Sequence, residues 1–134
     1  MFVREIMTDG ICCTGCDTSV QHIAFLMKKN DIGAVVITDD HEKILGIITD
    51  RDLVLRAMAG KGETASDIMT KDPVCISPDM DALAAVSLFS RYKVRRLPVV
   101  RGEKAIGFLS LSDMAKDKAF IHEAGDILHL ISRV

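Results

Sequence analysis

The sequence predicts an α/β fold of the α+β kind: two β-α-β-β-α repeats packed about a pseudo-two-fold axis, followed by one C-terminal helix. Three observations carry that prediction. The length, 134 residues, suits one domain or two small repeats sharing a core. The chain repeats itself, and internal repeats outrank other signals. Ile6-Met7-Thr8 recurs as Ile68-Met69-Thr70, an offset of 62, and Gly46-Ile47-Ile48-Thr49 recurs as Gly107-Phe108-Leu109-Ser110, an offset of 61. Within each copy, short aliphatic runs alternate with stretches of helical spacing. Identity between the copies is low, but the order of elements is the same. Two copies of about 60 residues are each too small to bury a comfortable core alone.

Each copy opens on a short apolar strand, Ile11–Cys13 or Val74–Ile76. A helix follows, Thr18–Lys29 or Asp81–Tyr92. Val20, Ile23, Ala24 and Met27 have helical spacing, as do Leu83, Val86 and Ser90, with Leu88 and Phe89 widening the second face. Asp17 or Thr18, and Asp79 or Asp81, are candidate N-caps. Next come a strand (Ala34–Thr38 or Leu97–Arg101), a polar turn (Asp39-Asp40-His41-Glu42 or Gly102-Glu103) and a second strand (Ile44–Ile48 or Ala105–Leu109). A helix then begins at Thr49 or Ser110. Gly60-Lys61-Gly62 punctuates the junction, which divides the chain into 1–60 and 61–118. Residues 119–134 form a tail helix with the stripe Phe120, Ala124, Ile127, Leu128 and Ile131. Gly125 weakens that helix by about 1 kcal/mol relative to Ala. The stripe needs a partner surface, in this chain or a second one.

Composition narrows the function. Apolar residues make up 49%, ordinary for a globular protein and too many for disorder. Lys and Arg total 17 against 19 acids, a net charge of −2, which argues against nucleic-acid binding. Aromatics are 4% with no Trp, so the chain lacks platforms for stacking bases. No run approaches the length needed to span a bilayer. Met1-Phe2-Val3-Arg4-Glu5 is not followed by an apolar signal region. A cytoplasmic protein without a membrane anchor is expected.

Of four cysteines, Cys12, Cys13 and Cys16 cluster and Cys75 stands apart. Without a secretory signal, free thiols are the default. Cys13-Thr14-Gly15-Cys16 is formally C-x-x-C, but a closed zinc site wants four ligands, so Cys75 would have to supply the fourth. The plain reading is small apolar residues in a buried strand and its following loop. No metal is expected. The histidines carry little: His22 and His41 are expected on a helix surface and in a turn, and His122 and His129 lie two turns apart on the tail.

Four runs in the second copy carry a family resemblance: Asp67-Ile68-Met69-Thr70, Pro73-Val74-Cys75-Ile76-Ser77-Pro78, Arg95-Arg96-Leu97-Pro98-Val99-Val100 and Gly107-Phe108-Leu109-Ser110-Leu111-Ser112-Asp113. The first copy carries Ile6-Met7-Thr8, Gly33-Ala34-Val35-Val36-Ile37 and Gly46-Ile47-Ile48-Thr49-Asp50-Arg51-Asp52-Leu53. This ordered set, present twice over residues 3–118, resembles a tandem pair of CBS domains (cystathionine β-synthase type), the Bateman module. The resemblance implies a regulatory module that binds an adenosine-containing ligand: AMP, ADP or ATP first, NAD or S-adenosylmethionine otherwise. It also implies a homodimer and a regulated protein partner acting in trans.

Thr49-x-x-Asp52 and Ser110-x-x-Asp113 fall where a strand meets a helix. One reading is a capping box. The other is a ligand site at a helix N-terminus, where an anion is welcome. The hydroxyl and nearby N–H groups would meet a phosphate, and the carboxylate would accept both ribose hydroxyls. The two readings coexist, because a carboxylate has spare lone pairs. In the family that the chain resembles, each cleft draws on both repeats. Carried over, Thr49 and Asp52 face Val74, Cys75, Ile76, Arg95, Arg96, Leu97 and Pro98. Ser110 and Asp113 face Ile11, Cys12, Cys13, Ile32, Gly33 and Ala34. The clefts are then unequal: Arg95 and Arg96 suit a phosphate, and Ile32-Gly33 offer no such handle. The Asp52 cleft is expected to bind a charged nucleotide more tightly. Arg51 could also reach a phosphate, or point to solvent. The basic run Arg91, Lys93, Arg95 and Arg96 could equally be a solvated helix end.

No nucleophile–base pairing, His-rich metal motif or P-loop is present, so a non-enzyme is expected. The competing reading is a redox or zinc sensor built on Cys12, Cys13, Cys16 and Cys75.

Overall fold

Aliphatic alternation and turn chemistry place the elements in the following chain order. A computed structural model of the protein describes residues 1–117 and 120–132. It contains α1 (Val3–Ile6), β1 (Thr8–Asp9), β2 (Cys13–Thr14), α2 (Val20–Asn30), β3 (Ala34–Thr38) and β4 (Ile44–Thr49). Next come α3 (Asp50–Asp52), which runs into a π-helical turn (Leu53–Met58), α4 (Ala65–Ile68) and β5 (Thr70–Lys71). The chain continues with α5 (Ala82–Tyr92), β6 (Arg96–Arg101), β7 (Lys104–Ser110), α6 (Leu111–Lys116) and α7 (Ile121–Ser132). The expected boundary at Lys118 and Ala119, and the expected helix end at Arg133 and Val134, lie outside the described residues.

The chain forms two compact units that exchange their leading segments. One unit is Ile11–Pro73 with Glu103–Ala105; the other is Met1–Gly10, Val74–Gly102 and Ile106–Val134. They are called the Asp52 unit and the Asp113 unit here.

In the Asp52 unit the sheet order is β2-β3-β4-β5, with β2 parallel to β3 and the other pairs antiparallel. Val35, Val36, Ile37 and Ile48 are fully buried on the central strands. Ile23 and Met27 of α2 and Ala65 and Ile68 of α4 close the core over Val35, Ile37 and Ile48. Ser19 caps α2, its Oγ accepting the His22 N–H at 3.2 Å. Neither Asp17 nor Thr18 does so. The Thr18 hydroxyl pairs with that of Thr14 at 2.6 Å and its carbonyl accepts the Ala65 N–H, so the cap falls one residue later and the helix starts at Val20. At the far end Asp31 takes the left-handed conformation, φ 51°, that stops the helix. The β3–β4 turn is held by Asp39, whose Oδ1 accepts the His41 and Lys43 N–H groups at 2.8 and 3.0 Å.

In the Asp113 unit the sheet order is β1-β7-β6. Phe89, Leu97, Val99, Leu109 and Met114 are fully buried around it. The strand expected at Val74–Ile76 shrinks to one parallel bridge between Ile76 and Val99. Pro98 explains the loss: its carbonyl accepts the Ile76 N–H and the Val100 N–H donates to the Ile76 carbonyl, but Pro98 has no N–H to carry the ladder on toward Val74. Asp81 holds the N-cap position of α5 without a side-chain cap bond, and Asp79 instead binds Arg4 at 2.5 Å. The buried face of α5 is Ala82, Ala85 and Phe89, which leaves Leu83 60% exposed. The tail helix α7 finds its partner in the same chain. It packs on α5 and α6 and buries Phe120, Ala124 and Ile127, while Leu128, expected in that stripe, is 43% exposed.

The exchanged segments are the part that local patterning does not reveal. β5 pairs with β4, Ile47 opposite Thr70 and Gly46 opposite Lys71. β1 pairs with β7, Thr8 opposite Phe108 and Asp9 opposite Gly107. Each recurring Ile-Met-Thr run thus lies on the glycine of the other repeat's second strand. A Cβ at Gly46 would come 2.7 Å from Met69 Sδ and 2.8 Å from the Thr70 carbonyl oxygen. One at Gly107 would run into the Thr8 carbonyl oxygen and sit 3.1 Å from Met7 Cε. Gly107→Ala and Gly46→Ala are therefore expected to lower the unfolding free energy, each by about 1–3 kcal/mol. Gly107 should suffer more, since the backbone carbonyl lies closer there than at Gly46. Gly125 has nothing within 4 Å of its Cβ position, so Gly125→Ala should add about 0.5–1 kcal/mol. Urea titrations of the three variants check this; a wild-type midpoint for Gly107→Ala would refute the close-approach argument.

Candidate functional site

In both units the second strand ends at a hydroxyl, three residues before a carboxylate in the helix that follows. Thr49 has an extended backbone and caps α3, its Oγ1 accepting the Asp52 N–H at 3.4 Å. Asp52 Oδ2 returns the bond, accepting the Thr49 N–H at 2.9 Å and the Thr49 hydroxyl at 3.3 Å. Ser110 and Asp113 repeat the box at 3.0 Å in both directions. The capping reading of the motif is thus realised twice.

The second carboxylate oxygen differs between the units. Asp52 Oδ1 faces the guanidinium of Arg56, with Nε at 3.7 Å. Asp113 Oδ1 accepts the Thr8 hydroxyl at 2.8 Å. Asp52 is buried and Asp113 half-buried. One carboxylate is neutralised by a cation and the other is met by a neutral donor. In each case a single oxygen completes the cap, and the other retains accepting capacity for hydroxyl donors from a ligand.

The N–H groups at the start of α3 are already used. Asp50 N–H donates to the Gly33 carbonyl at 3.1 Å and Arg51 N–H to Asp50 Oδ1 at 2.9 Å. An anion arriving there must displace one of these partners.

The structure places the expected lining residues unit by unit. Ile11, Cys12 and Cys13 run along or beside β2, with the Cys12 carbonyl accepting the Val36 N–H at 2.9 Å. Ile32, Gly33 and Ala34 lead into β3; Ala34 pairs with Thr49, which brings this turn beside the Asp52 motif. In the other unit Val74, Cys75 and Ile76 lead to the Val99 bridge. Arg95, Arg96, Leu97 and Pro98 open β6, and the Arg95 carbonyl accepts the Leu111 N–H at 3.1 Å, beside the Asp113 motif. Leu97 and Pro98 are buried, Arg96 half-buried and Arg95 and Arg51 exposed. Among the described residues, no ion pair involves Arg91, Lys93, Arg95 or Arg96.

Cys12, Cys13 and Cys16 are free thiols, and Cys12 and Cys16 pack against the apolar core. Partial burial pushes the Cys13 thiol above its ordinary pKa, helped by the neighbouring Cys12 and Glu42. Burial does the same to Cys75. Among the described residues, no group of three or more His, Cys, Asp or Glu side chains is placed to hold a metal ion.

Two contributors were not singled out from sequence. Thr8 lay in a recurring run whose partner is 105 residues away. Arg56 follows Asp52 at the i,i+4 spacing of helical ion pairs, a signal that was available.

Comparison with known proteins agrees with these features. The family model described as CBS domain matches twice, over residues 3–58 and 65–119. The CBS domain-containing protein YhcV of Bacillus subtilis (strain 168) is 31% identical over 133 residues, covering 97% of this chain and 94% of that protein. The CBS domain pair of protein MJ0100, solved with 5′-methylthioadenosine and S-adenosyl-L-methionine, superposes with a TM-score of 0.81 at 25% identity, over 87% of this chain and 94% of that one. CBSX2, solved with AMP, superposes with a TM-score of 0.77 at 26% identity, over 90% of this chain and 98% of that one. With two matches that together span most of its length, and both repeats folded around the same hydroxyl–carboxylate box, this chain belongs to the CBS domain family.

Proposed function

We propose that the protein is a regulatory module that binds an adenosine-containing ligand and catalyses no reaction itself. The observation that carries this reading is the duplicated capping box. In each copy one carboxylate oxygen completes the cap, while the second, Asp52 Oδ1 or Asp113 Oδ1, meets a side-chain donor from elsewhere in its unit. A ribose offers two adjacent hydroxyl donors, which suit a carboxylate with accepting capacity to spare. The solved relatives hold S-adenosyl-L-methionine with 5′-methylthioadenosine, and AMP, and these ligands share the adenosine.

In this reading Asp52 and Asp113 take ribose hydroxyls, assisted by Thr49 and Ser110. The aliphatic residues Ile11, Ile32, Ala34, Val74, Ile76 and Leu97, with Cys12, Cys13, Cys75, Gly33 and Pro98, enclose the base. Arg95, Arg96 and Arg51 serve a phosphate, and guanidiniums match its oxygens bidentately. AMP and ATP head the ligand order, with NAD and S-adenosylmethionine after them. The Asp52 motif is ranked first for a charged nucleotide on the family resemblance alone, since within the units Arg95 lies beside the Asp113 motif and Ile32-Gly33 beside the Asp52 motif. The module works in the cytoplasm as a homodimer, in trans on a protein partner. No helix of the described residues is long and apolar enough to cross a membrane.

Isothermal titration of reduced, nucleotide-stripped protein against AMP, ATP, NAD and S-adenosylmethionine tests this. Saturable binding that Asp52→Ala abolishes and Asp113→Ala only weakens is the expected result. Loss confined to Asp113→Ala would keep the module and reverse the ranking; no binding to any of the four would leave both motifs as helix caps. The thiol-sensor alternative makes the opposite demand on the cysteines. Raised thiol pKa values leave little thiolate at pH 7, so Cys13 and Cys75 should react with iodoacetamide more slowly than free cysteine, and faster as pH climbs. Fast labelling at neutral pH, or stoichiometric zinc in untagged protein, would favour the sensor.

A further inference from the structure

Arg56 ties together three parts of the Asp52 unit. Its Nε lies 3.7 Å from Asp52 Oδ1. Its Nη1 donates to the carbonyls of Ile68 at 3.3 Å and Met69 at 3.2 Å. Its own carbonyl accepts the Gly62 N–H at 3.2 Å. The glycines there are needed: a Cβ at Gly60 would strike the Arg56 carbonyl, and one at Gly62 the Ile68 side chain. The strap from Gly60 to Thr70 is therefore folded closely around this one arginine.

The contacts close a ring. Met69 precedes Thr70, which pairs with Ile47 of β4. β4 ends at Thr49, whose N–H is held by Asp52. Asp52 returns to Arg56. Arg56 itself sits in the π-helical turn, a wide and weakly stable geometry that proteins keep mostly where it serves a purpose. The other repeat closes its ring without a cation: Thr8 of β1 pairs with Phe108 of β7, β7 ends at Ser110, and Asp113 holds the Ser110 N–H and takes the Thr8 hydroxyl directly, while the residue four beyond it is Asp117.

We propose that Arg56 is a positioning residue that orients the Asp52 carboxylate for a ligand's ribose and transmits its occupancy to the Gly60–Thr70 strap. This rests on Asp52 being a ligand-binding residue, as proposed above. The coupling follows from shared ordering. Hydroxyl donors at Asp52 fix the carboxylate, a fixed carboxylate holds the guanidinium, and the guanidinium holds the Ile68 and Met69 carbonyls. A ligand that orders the first member lowers the entropy still to be lost by the last. The coupling is reciprocal, so whatever grips the strap also tightens the ligand.

Amide hydrogen exchange of the full chain tests both halves. Wild type, Asp52→Asn, Arg56→Met and the double variant are compared without ligand, with circular dichroism to establish that each is folded. Each single change should speed exchange over residues 60–70 by about three- to tenfold, and the double change should add nothing further. Arg56→Lys should not restore slow exchange, since one ammonium cannot span a carboxylate and two carbonyls. Saturating AMP should then slow the strap in wild type. Arg56→Met should still bind AMP, about three- to tenfold more weakly, yet gain no strap protection. Additive effects of the two single changes would overturn the tie. Wild-type protection of the strap in AMP-bound Arg56→Met would overturn the transmission. If titration finds no binding of AMP, ATP, NAD or S-adenosylmethionine, the ligand reading fails and transmission fails with it. The ligand-free comparison still decides whether Arg56 positions Asp52.

Discussion

The Thr8 and Thr70 carbonyls, with the Met7 and Met69 side chains beside them, lie against Gly107 and Gly46 too closely for any side chain there, and most of the structure follows from that approach. It admits β1 and β5 to their sheets. It anchors the short helices just before them, which bury Val3 and Ile68 completely. It also carries Thr8 to Asp113 and the Ile68 and Met69 carbonyls to Arg56. Core and candidate site therefore share one element. A change that loosens the segment disturbs packing and the second carboxylate oxygen at the same time.

The two carboxylates show how one motif acquires two characters. Both spend Oδ2 on their own helix start, a local bond that any such sequence can form. Their difference comes from what reaches Oδ1. A guanidinium half exposed to water offers Asp52 an attraction that salt weakens and that acts over a range of geometries. A hydroxyl offers Asp113 a short directional bond indifferent to ionic strength. The two oxygens thus have unlike neighbours, even though the motifs read almost alike.

Local pattern made much of this legible. β3, β4, α2 and α5 stand close to where aliphatic alternation and helical spacing put them, and the Ser/Thr-x-x-Asp spacing foretold the capping boxes. The misses have physical causes. β1 and β5 are two-residue strands exposed on both positions, so they carry no alternation to read. Val74–Ile76 looked like a strand because its residues are apolar, but Pro98 removes the donor that a ladder needs. Leu83 and Leu128 fit a stripe by spacing, yet the small residues Ala82, Ala85 and Ala124 take the buried positions where helices come close. The π-helical turn has no local marker, and the Arg56 side chain within it contacts a segment 12 and 13 residues further on.

The exchanged segments also govern the order in which the chain can assemble. The Asp52 unit is nearly one continuous stretch, Ile11–Pro73, and its strand pairs join near neighbours. The Asp113 unit is interrupted, and its β1–β7 pairing joins Thr8 to Phe108, about 100 residues apart. Contacts of that separation form late and slowly, because a large loop must close before they repay its entropy. During synthesis Met1–Gly10 emerges before β7 and must wait, with Val3 unburied, until Phe108 has been made. That interval is a window for association with other chains, which a ribosome-bound chaperone would shorten.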